Sequence, residues 1–192
     1  VYGGQQESGA IGVASRGDGG QISFREFIGV GADEYAYVAP DPKDPNIIYG
    51  GRVSRFNKQT GQSQIITPEA VRSGDYRFLR TLPLLFHPAD DQMLLFATNV
   101  LWKTMNEGQS WEVISPDLTY EHPEVPTSVG IYKTKEMEKM AQRAVIYAVA
   151  PSPLNVQTIW AGTDDGRVHI TTDSGDNWKD ITPNTLSSWD KV

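Results

Sequence analysis

Cysteine is absent from this 192-residue chain. Disulfides, thiolate metal sites and cysteine nucleophiles are therefore excluded together, although a secreted protein of this size can dispense with disulfides. Basic residues are in the minority, with 17 Lys and Arg against 24 Asp and Glu and a formal net charge of −7. Phosphate backbones demand a concentrated basic footprint, so nucleic acid is not an expected partner. The densest basic stretch, "YKTKEMEKMAQR" from Tyr132 to Arg143, alternates with Glu136 and Glu138 and reads as a solvated helix. No run approaches the roughly 18 to 20 apolar residues that a membrane span needs. An initiator Met is also missing, and the opening "VYGGQQ" reads as mid-strand. The expectation is a chain processed or cut from something longer.

What is present is a repeat. "TMNEGQSW" at Thr104–Trp111 returns as "TTDSGDNW" at Thr171–Trp178, 67 residues later. Three longer segments align around these octapeptides, beginning at Ala39, Phe86 and Ala150. Each has a Pro-rich turn, an apolar strand ending in small residues, a second short strand, a polar Gly turn and a last strand closing on Pro. Pro42 and Pro88 lie 46 residues apart, Pro88 and Pro153 65, so the second interval carries an insertion. A period in the mid-forties built from four short strands marks a β-propeller blade. The strands "NIIYGG", "MLLFAT" and "TIWAGT" are apolar on both faces, as expected between neighbouring blades.

The expected architecture is thus all-β: a propeller arc of about four four-stranded blades, part of a larger propeller or completed by partner chains. A remnant lacking its first strand spans 1–29. Blades follow at 35–68, 79–116 and 143–183, with an insertion at 116–142 and a tail at 184–192. Such an arc is too short to close alone and leaves blade faces uncovered.

The octapeptides belong at the turn between third and fourth strands. Asp173 or Asn106 can accept turn N–H groups there, Gly175 or Gly108 can take a positive φ, and Trp178 or Trp111 can pack between blades. With Thr104 and Thr171 these residues form a structural set. "NKQTGQSQ" from Asn57 keeps the Gly but has Gln64 in place of the Trp.

These residues carry a resemblance. "TTDSGDNW" and "TMNEGQSW" resemble the Asp-box, or BNR repeat, of sialidases, xyloglucanase-type glycoside hydrolases and the sortilin N-terminal (Vps-ten) domain. "GQSWEVISPDLT" from Gly108, "IWAGTDDGRVHITTDSGDNWKDITP" from Ile159 and "YGGQQESGA" from Tyr2 are similar to bacterial sortilin-like proteins, with Glu7 and Ser8 where Asp and Asn are usual. The resemblance implies an extracellular or periplasmic setting. It leaves enzyme and receptor both open, since fold does not fix activity.

Alternation of strand direction sorts the loops. "GADEY" (31–35), the loop 69–77, the insertion and "TDDGR" (163–167) share one rim, with Tyr35, Tyr37, Tyr76 and Tyr132 in or beside it. Two acidic pairs fall on this rim, Asp33 with Glu34 and Asp164 with Asp165. Each could supply the paired carboxylates of glycoside hydrolysis, or be a crossing loop and an Asp-Gly hairpin turn respectively. Arg52, Arg77, Arg80 and Arg167 lie nearby without the spacing of an arginine cluster. Arg16-Gly17-Asp18 falls at a structural turn. His87, His122 and His169 are too scattered for a metal site, and Asp41 and Asp44 in "DPKDPN" suit a turn as well as Ca²⁺. No cofactor is expected. The expected partners are the remaining blades and a protein, peptide or carbohydrate ligand. The leading reading is a binding propeller, the alternative part of a glycoside hydrolase.

Overall fold

The computed structural model describes residues 1–35, 37–122, 125, 130–131, 133–135 and 143–192. Ala36, Tyr132 and most of the helix expected from 132 to 143 lie outside them. Among the described residues fifteen strands form four antiparallel sheets in chain order. The first sheet has three strands, β1 (Tyr2–Gln5), β2 (Gly9–Val13) and β3 (Phe27–Gly29). The second has β4 (Val38–Pro40), β5 (Ile47–Gly50), β6 (Ser54–Asn57) and β7 (Gln62–Ile65). The third has β8 (Leu84–His87), β9 (Asp90–Ala97), β10 (Leu101–Thr104) and β11 (Glu112–Val113). The fourth has β12 (Ile146–Pro151), β13 (Ile159–Thr163), β14 (Val168–Thr171) and β15 (Lys179–Asp180). Strands within each sheet pair in sequence order, the meander of a propeller blade.

Period-two alternation explains how one strand serves two neighbours. On β9, Leu94 and Phe96 point into the cluster shared with the second sheet, beside Ile47, Tyr49 and Leu84. Met93, Leu95 and Ala97 point the other way, to Ile146, Ile159 and Ala161 of the fourth sheet. On β5, Tyr49 faces the third sheet while Ile48 faces Ala10 and Val30 of the first. The chain is an all-β arc of blades stacked face to face.

The two octapeptide turns have the same wiring. Thr104 Oγ1 accepts from Gly108 N–H at 3.0 Å and donates to Asn106 Oδ1, which also accepts from Ser110 N–H. Thr171 accepts from Gly175 N–H at 3.0 Å and donates to Asp173, which accepts from Asn177 N–H. Gly108 and Gly175 have φ of +85° and +105°, and an added Cβ would strike the Ile66 side chain and the Ile114 carbonyl. Each Trp then crosses to the preceding sheet. Trp111 Nε1 donates to the Ile66 carbonyl and Trp178 Nε1 to the Ile114 carbonyl, both at 2.7 Å. Their rings are half-buried at the edges of the two main clusters. At the corresponding turn of the second sheet, Asn57 Oδ1 accepts from Gln59 and Thr60 N–H, and no indole is present.

Candidate functional site

Antiparallel alternation brings the β5–β6, β9–β10 and β13–β14 turns to the same end as the crossings between sheets. Contacts along this rim bear that out. Glu34 Oε2 accepts from Glu7 N–H at 2.8 Å, and Asn99 Oδ1 from Arg77 N–H at 2.8 Å. Arg77 also donates to Asp117 and Thr119, and Asn99 to Asp117. Burial alone would raise the Asp117 carboxyl, but donors from Thr119, Asn99 and Arg77 hold it below its ordinary range. This network anchors the start of the insertion to the third sheet.

The four rim carboxylates have separate tasks. Glu34 pairs with Arg80 at 2.9 Å, and the guanidinium carbon of Arg80 lies 5.8 Å from the centroid of the Tyr35 ring. Asp164 Oδ1 accepts from Val145 N–H at 2.9 Å, closing the entry to β12. Asp165 is buried, and its carboxylate accepts from Thr163 Oγ1 and Tyr120 N–H. Burial pushes the Asp165 carboxyl up despite these donors. The tail covers this turn, with Trp189 N–H donating to the Asp165 carbonyl at 2.8 Å. Asp33 alone of the four lines a cavity on this rim.

That cavity, of about 440 Å³, opens between the second and third sheets. Its floor is apolar, from Val53, Val71, Leu82 and Phe96, and its mouth carries Asp33, Arg52, Arg72 and Phe78. Arg72 is delivered by a short 3-10 helix, Glu69–Ser73, which ends on Gly74 at a φ of +90°. The guanidinium carbon of Arg52 sits 5.6 Å from the Phe78 ring centroid, a cation–π distance. Among the described residues neither Arg52 nor Arg72 has an ion-pair partner. Exposed apolar side chains flank the mouth, including Ile65, Phe78 and Leu79.

The sequence places Arg52 and the 69–77 loop on this rim, but not Arg72 and Phe78 in one cavity. An exposed "FL" pair in a polar loop was the available signal. Arg77 and Arg167 are spent on structure: Arg167 bonds the Thr119 carbonyl and pairs with Asp180. His87 and His169 are buried in separate sheets, where burial holds both imidazoles below their ordinary pKa, and His122 is exposed. Among the described residues no group of three metal-ligating side chains comes together. Asp41 and Asp44 accept from the backbone of their own turn. Arg16, Gly17 and Asp18 lie in the β2–β3 connection, where Gly20 N–H bonds the Gly17 carbonyl.

No protein-family model matches the chain, and no curated protein matches it. Among solved structures, a GH74 enzyme of Niastella koreensis is similar at 17% identity and a TM-score of 0.46, over 80% of this chain and 22% of that one. An ancestral GH74 enzyme is similar at 17% identity and 0.48, over 79% and 18%. The GH74 xyloglucanase of Xanthomonas campestris is similar at 17% identity and 0.47, over 96% and 29%. The chain thus spans less than a third of the length of each.

Proposed function

We propose that this chain is a sortilin-like, Asp-box (BNR-repeat) propeller module that binds a protein, peptide or glycan ligand on its loop rim. One observation carries the reading: a cavity whose mouth combines two unpaired guanidiniums, one carboxylate and an aromatic ring over an apolar floor. Ligand sites are concave, mostly apolar and polar at a few points, and this one fits that description. Guanidiniums suit carboxylate or hydrogen-bond-rich ligands, and Phe78 offers a stacking surface. Calorimetric titration with peptide and oligosaccharide panels tests it. Arg52→Ala and Arg72→Ala each weaken the bound ligand about 10-fold or more, the cost of losing a charged hydrogen bond. Arg16→Ala, away from this cavity, leaves affinity unchanged. Unaltered affinity in both rim variants removes the reading.

The alternative is part of a glycoside hydrolase of the xyloglucanase or sialidase type. Asp33 in the cavity favours it, but acid and base require two carboxylates. Here the second would come from outside the cavity lining. Turnover of xyloglucan that Asp33→Asn abolishes while binding persists supports the hydrolase. An extracellular or periplasmic setting goes with the binding reading, and fractionation of the native host tests it.

A further inference from the structure

Four positions in this fold are equivalent and three are covered: Val30, after the first sheet, is buried with no indole on its carbonyl among the described residues, and the other three belong to the four-stranded sheets. Ile66, Ile114 and Ile181 each follow the last strand of a four-stranded sheet. Their N–H groups donate to the carbonyls of Val53, Leu101 and Val168 at 3.0, 2.9 and 2.9 Å. The carbonyls of Ile66 and Ile114 each receive an indole N–H from the next sheet, and both residues are buried. Ile181 is 38% exposed, and its carbonyl accepts none of the hydrogen bonds among the described residues.

The sheet face beside Ile181 is apolar at its centre and carries Lys179, opposite Ile170, at its edge. Ile159 and Ala161 of β13 point into the core, so Trp160 points out, opposite Ile170 on β14 and Ala150 on β12. Trp160 is 37% exposed. On the third sheet the face in this position is β9's Met93, Leu95 and Ala97, which the fourth sheet covers.

The tail supplies a second equivalence. Ile146 N–H, at the first residue of β12, donates to the Thr98 carbonyl of the third sheet at 2.8 Å. Val192 N–H donates to the Thr163 carbonyl of the fourth sheet at 3.3 Å. Thr98 directly follows β9 and Thr163 is the last residue of β13, each after the small residue of "FAT" and "AGT". Val192 therefore stands at the fourth sheet where the first strand of a neighbour stands at the third.

We propose that the outer face of the β12–β15 sheet, with Trp160 as its apolar centre and the Ile181 carbonyl as its polar anchor, docks a further antiparallel sheet bearing a Thr-x-Asx-x-Gly-x-x-Trp turn. Continuity with the joint between the third and fourth sheets identifies this occupant. A second copy of the chain does not match it, because the free end of such a copy is the first sheet. The β2–β3 connection there, 14–26, contains no Trp.

The equivalence of Val192 with Ile146 designs the experiment. The intact 192-residue chain is extended by a second copy of residues 147–183, and the indole N–H signals are followed by NMR with a soluble paramagnetic agent. In the extended protein the native Trp160 signal becomes as well shielded as that of buried Trp102. The indole N–H of the Trp in the appended turn exchanges as slowly as those of Trp111 and Trp178. Trp160→Lys leaves the melting temperature of the unextended chain unchanged but leaves the appended copy unfolded, because a lone sheet has no face to bury against. Trp160 remaining as accessible as before contradicts the proposal. So does an appended copy that stays unfolded on the unaltered socket. Concentration-dependent shielding of Trp160 in the unextended chain makes a second copy the occupant and overturns it as well.

Discussion

The joint between the second and third sheets and the joint between the first and second use one strand pattern, yet they differ in depth. The former gathers Tyr49, Leu84, Leu94, Phe96 and Trp102 among its buried residues, with Trp111 across its edge. Among the described residues the latter has Ala10, Val30 and Ile48 as its buried core, with Tyr2 and Phe56 half-covered beside it. The deep joint also has an indole hydrogen bond from one sheet to the next, and the shallow joint has Gln64 at that place. Burial scales with the apolar area removed from water, so the second and third sheets are expected to come apart last. The indole bonds sit on the deep joints as a directional fastening over a non-directional core.

Truncating the deep joint has the largest expected effect. Phe96→Ala lowers the unfolding free energy by about 3 to 5 kcal/mol, whereas Phe56→Ala at the shallow joint costs about half of that. Urea denaturation of both variants measures the difference, and equal losses would erase the contrast. Next come the indoles. Because the rings are half-buried, Trp111→Ala and Trp178→Ala each cost about 2 to 3 kcal/mol. Trp178→Phe, which keeps a ring but removes the donor, costs about 1 kcal/mol.

Glycine separates the turns more finely. Gly175→Ala must hold a φ of +105° with its Cβ 2.3 Å from the Ile114 carbonyl, and loses about 2 kcal/mol. Gly61→Ala, at +70° in open space, loses about 1 kcal/mol. Matched thermal melts of the two variants check this.

The smallest effect distinguishes Asp173 from Asn106. Hydrogen bonds from Asn177 and Thr171 hold the Asp173 carboxyl below its ordinary pKa. A carboxyl depressed on folding adds stability above its unfolded pKa, near 3.9, and that contribution disappears as pH falls through the lower folded value. Asp173→Asn therefore flattens the acid limb of the stability curve below about pH 4. Asn106 already contributes no such dependence. Denaturation midpoints of the parent and variant across that range give the comparison, and parallel curves would contradict it.

Much of the fold was legible because the repeat brings its own punctuation. Pro, small residues and Gly recur at fixed places around "NIIYGG", "MLLFAT" and "TIWAGT", and both-face apolarity marks these as sandwiched strands. The acceptors of the two indoles were not, since a backbone carbonyl carries no side-chain signature. The cavity was legible only in part. Arg52 and the 69–77 loop could be assigned to the rim from strand direction. The meeting of Arg72, Phe78 and Asp33 depends on a short helix and a crossing loop, whose paths no periodicity encodes. The "TDDG" turn resolved into hydrogen-bonded architecture once the tail was seen folded over it.

Hydrogen exchange at the five indole N–H groups tests the stacked-blade account most directly. Selective ¹⁵N labelling of tryptophan gives one signal for each. Trp111 and Trp178, bonded across sheets to Ile66 and Ile114, and Trp102, bonded to Thr98 Oγ1 at 3.1 Å, exchange slowly. Trp160 and Trp189, exposed and without such a bond, exchange fast. If Trp111 and Trp178 exchange as fast as Trp160, the sheets are not fastened as described and the account fails.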